Sequence, residues 1–507
     1  MRESQRAGQN RRAAGAIMGA AVGDALGAPY EFKPSQGVTL TGTEADLIGG
    51  GSFGWDPGEW TDDTAMMIPE LMMRASARWN SDEVVRAWRQ WARTARDVGN
   101  QTRAVLGALG PDATTADAAA AARAFHESTG RSGGNGSLMR TAPWGIGQGT
   151  APSGRINPKR ALSYALSARE QSSWTHYDPQ AGDACVLWSV MIHQAVTYGV
   201  VDVDAALAAL PDERREAWRE RLAAAASGRP GDFPKNGWVV HALQAAWAAL
   251  NRAGLDVADA QTATPRAFRL ALQEAINAGG DTDTVAAITG ALAGAMCGAD
   301  SIPLGWQRRV HGWGGEGVVL TLTDLGKLAL AARRWGSGDN YGPFNELRWE
   351  RRIDYSRFRG TGVVVKHPHD DGVWLGGVGA LDALPDAVDA VVSLCRVGTE
   401  QVPARIAPGN RVEAWLIDRE AEYENPHLEF VMGEAADAVA RLRAAGKTVL
   451  LHCVAAESRT PAVAVAYAVR HLGVRGDQAE ADVAGVLGGP IRNAVLGAVA
   501  RRAGGAI

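Results

Sequence analysis

The chain holds 507 residues, 46% of them hydrophobic and 21% charged, with a net charge of -4. That length exceeds one ordinary core and calls for two or three domains, and the balanced charge excludes a general electrostatic pull toward nucleic acid or an anionic membrane. Cys185, Cys297, Cys395 and Cys453 form no CxxC pair and no short His/Cys cluster, so neither a zinc site nor a disulfide framework is expected.

At the N-terminus, Arg11-Arg12 before "AAGAIMGAAVG" superficially matches a twin-arginine export signal. Asp24 follows almost at once, however, and the stretch runs into "GDALGAPYEF" without a cleavage-site break. A reducing cytoplasm is therefore expected. No apolar run reaches the roughly 20 residues that span a bilayer, so no membrane association is expected.

From 11 to about 335, Ala, Leu and Trp recur three and four apart, as in "DEVVRAWRQWARTAR" and "GWVVHALQAAWAALNRAG". This is the spacing of buried helix faces, and strand-like alternation is scarce. The spacing predicts an all-α domain over 11–335. Residues 336–360 are polar, aromatic and aperiodic, and read as a linker. Beyond 360, short β-rich runs ("AVDAVVSLC", "VEAWLID", "KTVLLHC") alternate with amphipathic helices, which predicts a small α/β domain over 361–500.

In "GEWTDDTAM", Thr61, Asp62, Asp63 and Thr64 stand directly before an apolar run. A second cluster, "GGDTDTVAAITGALAGAM", carries Asp281, Asp283 and Thr284 before a Gly/Ala-rich helix. Asp and Thr at helix starts ordinarily act as N-caps and suit the helix dipole. Capping explains one residue per cluster, but neither Asp62 and Asp63 together nor two such clusters in one helical domain. Hard divalent cations want about six oxygen ligands, and the two clusters supply enough for two adjacent sites. Spacing alone leaves both readings open.

Between the clusters, "SGGNGSLMRTAP" suits a diphosphate. Gly133, Gly134 and Gly136 let the backbone approach closely, and Asn135 and Ser137 offer donors at an expected helix start. A plain glycine turn is the alternative. His176 in "WTHYD" and Glu31 in "PYEF" have ordinary structural or solvated readings when taken alone.

Taken in order, "GDALGAPYEF", "GEWTDDTAM", "GGNGSLMRTAPWG", Thr175-His176 and "GGDTDTVAAITGALAGAM" resemble the ADP-ribosylglycohydrolase family, of the dinitrogenase-reductase-activating glycohydrolase type. The resemblance implies an all-α fold with two magnesium ions (or manganese) at the bottom of an ADP-ribose cleft. It implies metal ligands at Thr61, Asp62, Asp63, Asp281, Asp283 and Thr284, with Glu31 as a base or gate on a mobile loop. It places His176 against the ribose or phosphate end of the ligand. The substrate implied is an ADP-ribosylated protein side chain or small molecule, cleaved with oxocarbenium-like charge at the anomeric carbon.

In the C-terminal domain, "VLLHCVAAESRTPAVAVAY" sets Cys453 six residues before Arg459, between an apolar strand and a helix. That arrangement suits a thiolate in a phosphate-binding loop, with an arginine fork for the phosphoryl group. A buried structural cysteine is the alternative, but it leaves His452, Arg459 and Thr460 unexplained. The HCx5R[ST] pattern resembles the cysteine-dependent protein tyrosine phosphatases, nearest the small dual-specificity group. The resemblance implies a phosphocysteine route, with Asp418 as general acid and Thr460 assisting breakdown of the intermediate. Two positions depart from that pattern: Ala456 where the family usually has glycine, and Glu457 where it has a small apolar residue. A carboxylate at the loop mouth should repel an anionic substrate. "KHPHDDG" at 366–372 reads as a turn before a strand rather than a metal site.

The whole reads as a bifunctional hydrolase whose second half takes a phosphorylated substrate, such as a phosphorylated ADP-ribose species. The competing reading is a cysteine phosphatase whose helical half binds ADP-ribose as a regulatory module without hydrolysing it.

Overall fold

The computed structural model describes residues 2–76, 80–147, 158–333 and 351–504, and these divide into two compact units. Residues 5–302 and 309–333 belong to a helical unit; residues 351–504, with Pro303–Arg308, belong to an α/β unit. Of the expected linker, positions 336–350 lie outside the described residues.

The helical unit is organised by two helices that meet backbone to backbone. In Arg2–Gly27, the residues Gly15, Gly19, Gly23 and Gly27 recur every four positions and so share one face. That face lies on the helix Thr282–Cys297. A Cβ at Gly15 would stand 2.2 Å from Gly294 O, at Gly19 2.3 Å from Gly290 O, and at Gly23 2.1 Å from Ala286 O. Only a helix face without side chains can come so near. Arg11 fixes the same pair, donating through Nη1 to Cys297 O at 2.5 Å and to Asp300 Oδ1 at 2.6 Å. Arg12 Nε donates to Val196 O at 3.0 Å, so both arginines of the export-like motif are tied into this unit.

Around that seam pack further helices, among them Pro179–Tyr198 and Val239–Arg252, both almost wholly buried on their apolar faces. Trp60, Trp88, Trp144, Trp188 and Trp218 are among the largest fully buried side chains. Their indole N–H groups find acceptors, as buried polar groups must: Trp88 donates to Met66 O at 2.8 Å and Trp188 to Ile288 O at 3.0 Å. One feature adds to the all-helical expectation, an antiparallel hairpin of His311–Gly315 and Val318–Thr321. Its sequence, rich in glycine and only a few residues per strand, carries no readable β period. The hairpin holds the approach to the first acidic cluster: His311 N donates to Gly58 O and Trp60 N to His311 O, each at 2.9 Å.

The α/β unit has one mixed five-stranded sheet. Val364–His367 pairs antiparallel with Asp370–Gly376; then Val449–His452, Ala390–Ser393 and Arg411–Glu413 follow in parallel. Val449–His452 is central and buried at every position, as expected of a parallel strand covered on both faces. Leu451 and Val392 face one core, which includes the helices Leu428–Ala444 and Arg459–Leu472, and Leu450 and Val391 face the other. The "KHPHDDG" stretch is the turn of the edge hairpin, though His367 is buried against Ala464 O rather than solvated. Asp370 is occupied by Arg443 and the Tyr467 hydroxyl. No helix among the described residues is long and apolar enough to cross a membrane.

Candidate functional site

Both acidic clusters fall at helix starts, where capping was the rival explanation. Thr61 is the N-cap of Asp62–Ala75 and Asp281 the N-cap of Thr282–Cys297, yet neither side chain makes a cap hydrogen bond. The Thr61 hydroxyl donates to Asp63 Oδ2 at 3.1 Å. Asp281 Oδ2 accepts from Asn135 Nδ2 at 2.8 Å, and Asn135 Nδ2 also donates to Asn236 O at 2.8 Å. The glycine seam brings the clusters together, since Gly27 lies against Asp283: a Cβ there would be 2.5 Å from Asp283 Cα.

Carboxylate oxygens of Asp24, Asp63 and Asp283 lie within 4.8 Å of one another, and so do those of Glu31, Asp97 and Asp283. Asp283 is common to both sets. Asp63 and Asp283 are about 1% exposed and Glu31 5%. Such crowding out of water favours protonation. Burial, then Asp97, Asp281 and Asp24, pushes Glu31 up to about 8. Burial raises Asp62, Asp63 and Asp283 well above the carboxylate range, each reinforced by its acidic neighbours. Asp281 rises by burial against the hydrogen bond from Asn135. Two oxygens inside the cluster, Asp63 Oδ1 and Glu31 Oε2, are buried with no hydrogen-bond partner among the described residues. Unpaired carboxylate oxygens with like charges around them are the donor chemistry of a hard divalent cation. The residues present therefore fit such an ion. Thr284, 5% exposed, and the partly exposed Asp62 border the same cluster.

Glu31 is followed by an exposed Phe32 held at φ 59°, a left-handed conformation that costs a bulky residue strain. Phe32 N donates to Gly280 O at 2.7 Å, which ties the Glu31 segment to the second cluster.

Residues 132–137 wrap over His176. A Cβ at Gly134 would stand 3.2 Å from His176 Nε2, and one at Gly136 3.0 Å from His176 Cε1. The expected helix start at Asn135 is instead a series of turns, followed by the short helix Ala142–Gly145. The carbonyls that would continue a helix are spent on side chains: Gly136 O accepts from Arg140 and Ser137 O from Gln171. The Ser137 hydroxyl, offered by the sequence as a donor, turns inward. It is fully buried and accepts from Ser172 Oγ at 2.9 Å.

In the α/β unit, the central strand Val449–His452 delivers Cys453 to a loop that ends at the helix Arg459–Leu472. Cys453 is 2% exposed. Arg459 Nη1 donates to Leu394 O at 2.5 Å and Leu416 O at 3.3 Å. Its Nε has no hydrogen-bond partner, with Asp418 Oδ2 4.0 Å away. Asn493 Nδ2 steadies Asp418 through Oδ1 at 3.2 Å. The Thr460 hydroxyl is buried and donates to Gly376 O at 3.2 Å. Ala456 sits at φ 58°, where glycine is at ease and alanine is not. Glu457 is paired with Arg492, Oε2 to Nη1 at 2.6 Å. The charge expected to repel an anion at the loop mouth is thus met from within the unit.

Comparison with known proteins decides the family of the helical unit. The model of the ADP-ribosylglycohydrolase family matches residues 5–338. The chain belongs to the ADP-ribosylglycohydrolase family. It is 29% identical over 313 residues to the ADP-ribosylarginine hydrolase Tri1 of Pseudomonas putida (strain GB-1), covering 59% of this chain and 74% of that one. To the ADP-ribosyl-[dinitrogen reductase] glycohydrolase of Rhodospirillum rubrum it is 28% identical over 304 residues, covering 59% and 90%. Among solved structures, human DUSP28 aligns to 28% of this chain and 90% of its own at 26% identity, with a TM-score of 0.23.

Two acids of this glycohydrolase unit escape a reading by motif. Asp24 accepts from Thr61 N at 2.9 Å, Thr64 N at 3.0 Å and Thr64 Oγ1 at 2.6 Å, so it braces the first cluster from behind. Burial raises it to about 6 against those hydrogen bonds. Asp97, raised to about 6 by burial, then Asp281 and Asp24, comes from the unremarked stretch "ARDVGN". Asp24 had a signal, since it lies in the family-like "GDALG". Asp97 had none.

Proposed function

We propose that the protein hydrolyses the bond between ADP-ribose and an acceptor side chain, with two divalent cations, magnesium by preference or manganese. The single observation that carries this is the buried acid cluster with two unpaired carboxylate oxygens. Asp24, Asp63 and Asp283 would hold one ion and Glu31, Asp97 and Asp283 the other, with Thr61, Asp62, Asp281 and Thr284 bordering them. A divalent cation supplies Lewis-acid polarisation of the oxygens it binds. Glu31, in its ionised form, takes the proton of the attacking water. Water oxygen bonds to the anomeric carbon, the bond to the acceptor breaks, and the acceptor nitrogen or oxygen leaves with a proton. Gly134, Asn135 and Gly136, with His176 beneath them, line the ligand's diphosphate-ribose end. Arginine is the acceptor favoured here, because one relative is an ADP-ribosylarginine hydrolase.

For the α/β unit we propose a second activity, hydrolysis of a phosphate monoester. Cys453 Sγ would attack phosphorus, Arg459 would grip the phosphoryl oxygens, and Asp418 would protonate the leaving oxygen. The observation that favours it is the strand-loop-helix with Arg459 Nε unpaired beside Asp418.

Isothermal titration of ADP-ribose, with magnesium and again with EDTA, tests the first reading. Binding that needs the metal is the expected result. Binding unaffected by EDTA, with no turnover of ADP-ribosylated arginine, would favour the regulatory-module reading.

A further inference from the structure

Arg140 is fully buried behind the glycine loop. Its Nε faces Glu70 Oε1 at 3.3 Å, and its guanidinium lies 4.0 Å from the centre of the Trp88 ring. Nη1 donates to Gly136 O at 3.1 Å, and Nη2 donates to Thr175 Oγ1 at 2.8 Å. Arginine has donors only, so the Thr175 oxygen accepts in that contact. The same oxygen lies 2.8 Å from His176 Nδ1.

Thr175 is fully buried, and among the described residues Arg140 and His176 are the partners of its hydroxyl. Its one proton can go only to His176 Nδ1. Were Nδ1 the donor, the hydroxyl proton would be left buried without an acceptor, which is the costlier arrangement. The imidazole proton therefore sits on Nε2. That nitrogen faces the glycine loop: a Cβ on either Gly134 or Gly136 would stand 3.2 Å from it. His176 is 3% exposed, and among the described residues its side-chain hydrogen bond is through Nδ1. Burial first, then the charge of Arg140, holds the ring neutral, with its pKa down to about 3.

We infer that Arg140 and Thr175 are positioning residues that fix His176 as an uncharged Nε2–H donor, aimed at an oxygen of the ligand seated on the glycine loop. The ligand clause rests on the ADP-ribosyl reading given above; the tautomer does not. A neutral donor fixed in this way accepts a lone pair and cannot offer one. It therefore selects an acceptor oxygen of ribose or phosphate without adding a charge.

The test uses the full chain labelled with 15N-histidine. Long-range proton–nitrogen correlation spectra report which ring nitrogen carries the proton, and His176→Gln assigns the signal. The expected pattern is a protonated Nε2 and a bare Nδ1, constant from about pH 5.5 to 8 because the neutral ring has no proton to exchange for charge over that range. In Thr175→Val the pattern should mix or reverse, and the Kd of ADP-ribose should rise about tenfold, the loss of one oriented hydrogen bond. Thr175→Ser keeps the hydroxyl and should restore both. A protonated Nδ1 in the unmodified protein would overturn the proposal. So would a Thr175→Val protein with both tautomer and Kd unmoved. A protonated Nε2 that depends on Thr175, in a protein that binds no ADP-ribose, would support the relay and overturn the ligand reading alone.

Discussion

In the helical unit the candidate site draws Asp24 and Glu31, Asp62 and Asp63, Asp97, and Asp281 and Asp283 from four distant stretches of chain, and leaves two of their oxygens unpaired. In the α/β unit Cys453, Arg459 and Thr460 come from one strand-loop-helix, and the charge at its mouth, Glu457, already has its partner in Arg492. The first site crowds like charges out of water, which a proton or a bound cation relieves. The second is nearly complete in its own hydrogen bonds. A site of the first kind should change with metal; one of the second kind should not.

The largest break in that comparison should come from Asp283→Asn, because Asp283 belongs to both carboxylate sets. Release of ADP-ribose should fall by at least about 100-fold. Hydrolysis of an aryl phosphate at Cys453 should stay at its unmodified level. Parallel assays on one preparation check both, and equal losses at the two sites would mean that the fold, not the charge, had failed.

A smaller effect concerns pH. Glu31 is raised to about 8 and Asp24 and Asp97 to about 6. Groups raised on folding favour the folded state fully below their unfolded values near 4, and that contribution is lost as pH rises through the folded values. In EDTA, melting of the helical unit should therefore fall between about pH 4 and 8, by on the order of 5 °C. Magnesium, which binds the folded carboxylates, should remove most of that slope. Calorimetric scans across pH, with and without metal, measure it. The α/β transition should not show the metal-sensitive part.

The smallest effect sharpens the other side. Ala456 holds a left-handed conformation at φ 58°. Ala456→Gly should stabilise the α/β unit by about 1 kcal/mol, the relief of that conformation, and leave the helical unit's melting unchanged. Urea unfolding of the two transitions tells them apart.

How much of this was legible in the sequence follows the same division. The loop at Cys453 was readable because everything it needs lies within one local pattern. Its one apparent contradiction, Glu457, could not be resolved that way, since Arg492 lies in a different segment. The paired acids 62–63 and 281–283 were readable as clusters, but the choice between cap and cage needed their side-chain partners. Asp97 was invisible: a single acid in a polar stretch acquires meaning only from what folds beside it. The turns at 135–140 were read as a helix start, because the buried demands of Arg140 and Gln171 on the backbone carbonyls do not appear in local spacing.

The glycine seam has a consequence for how the chain is made. Gly15, Gly19 and Gly23 leave the ribosome early, whereas Ala286, Gly290 and Gly294, against which they lie, emerge more than half the chain later. Contacts that distant form late and slowly. Until they do, the Asp24–Glu31 segment and the first acid pair have no Asp281 or Asp283 to crowd against. The growing chain therefore carries its acids apart and in water, and the concentrated negative charge comes into being only when the glycine faces close.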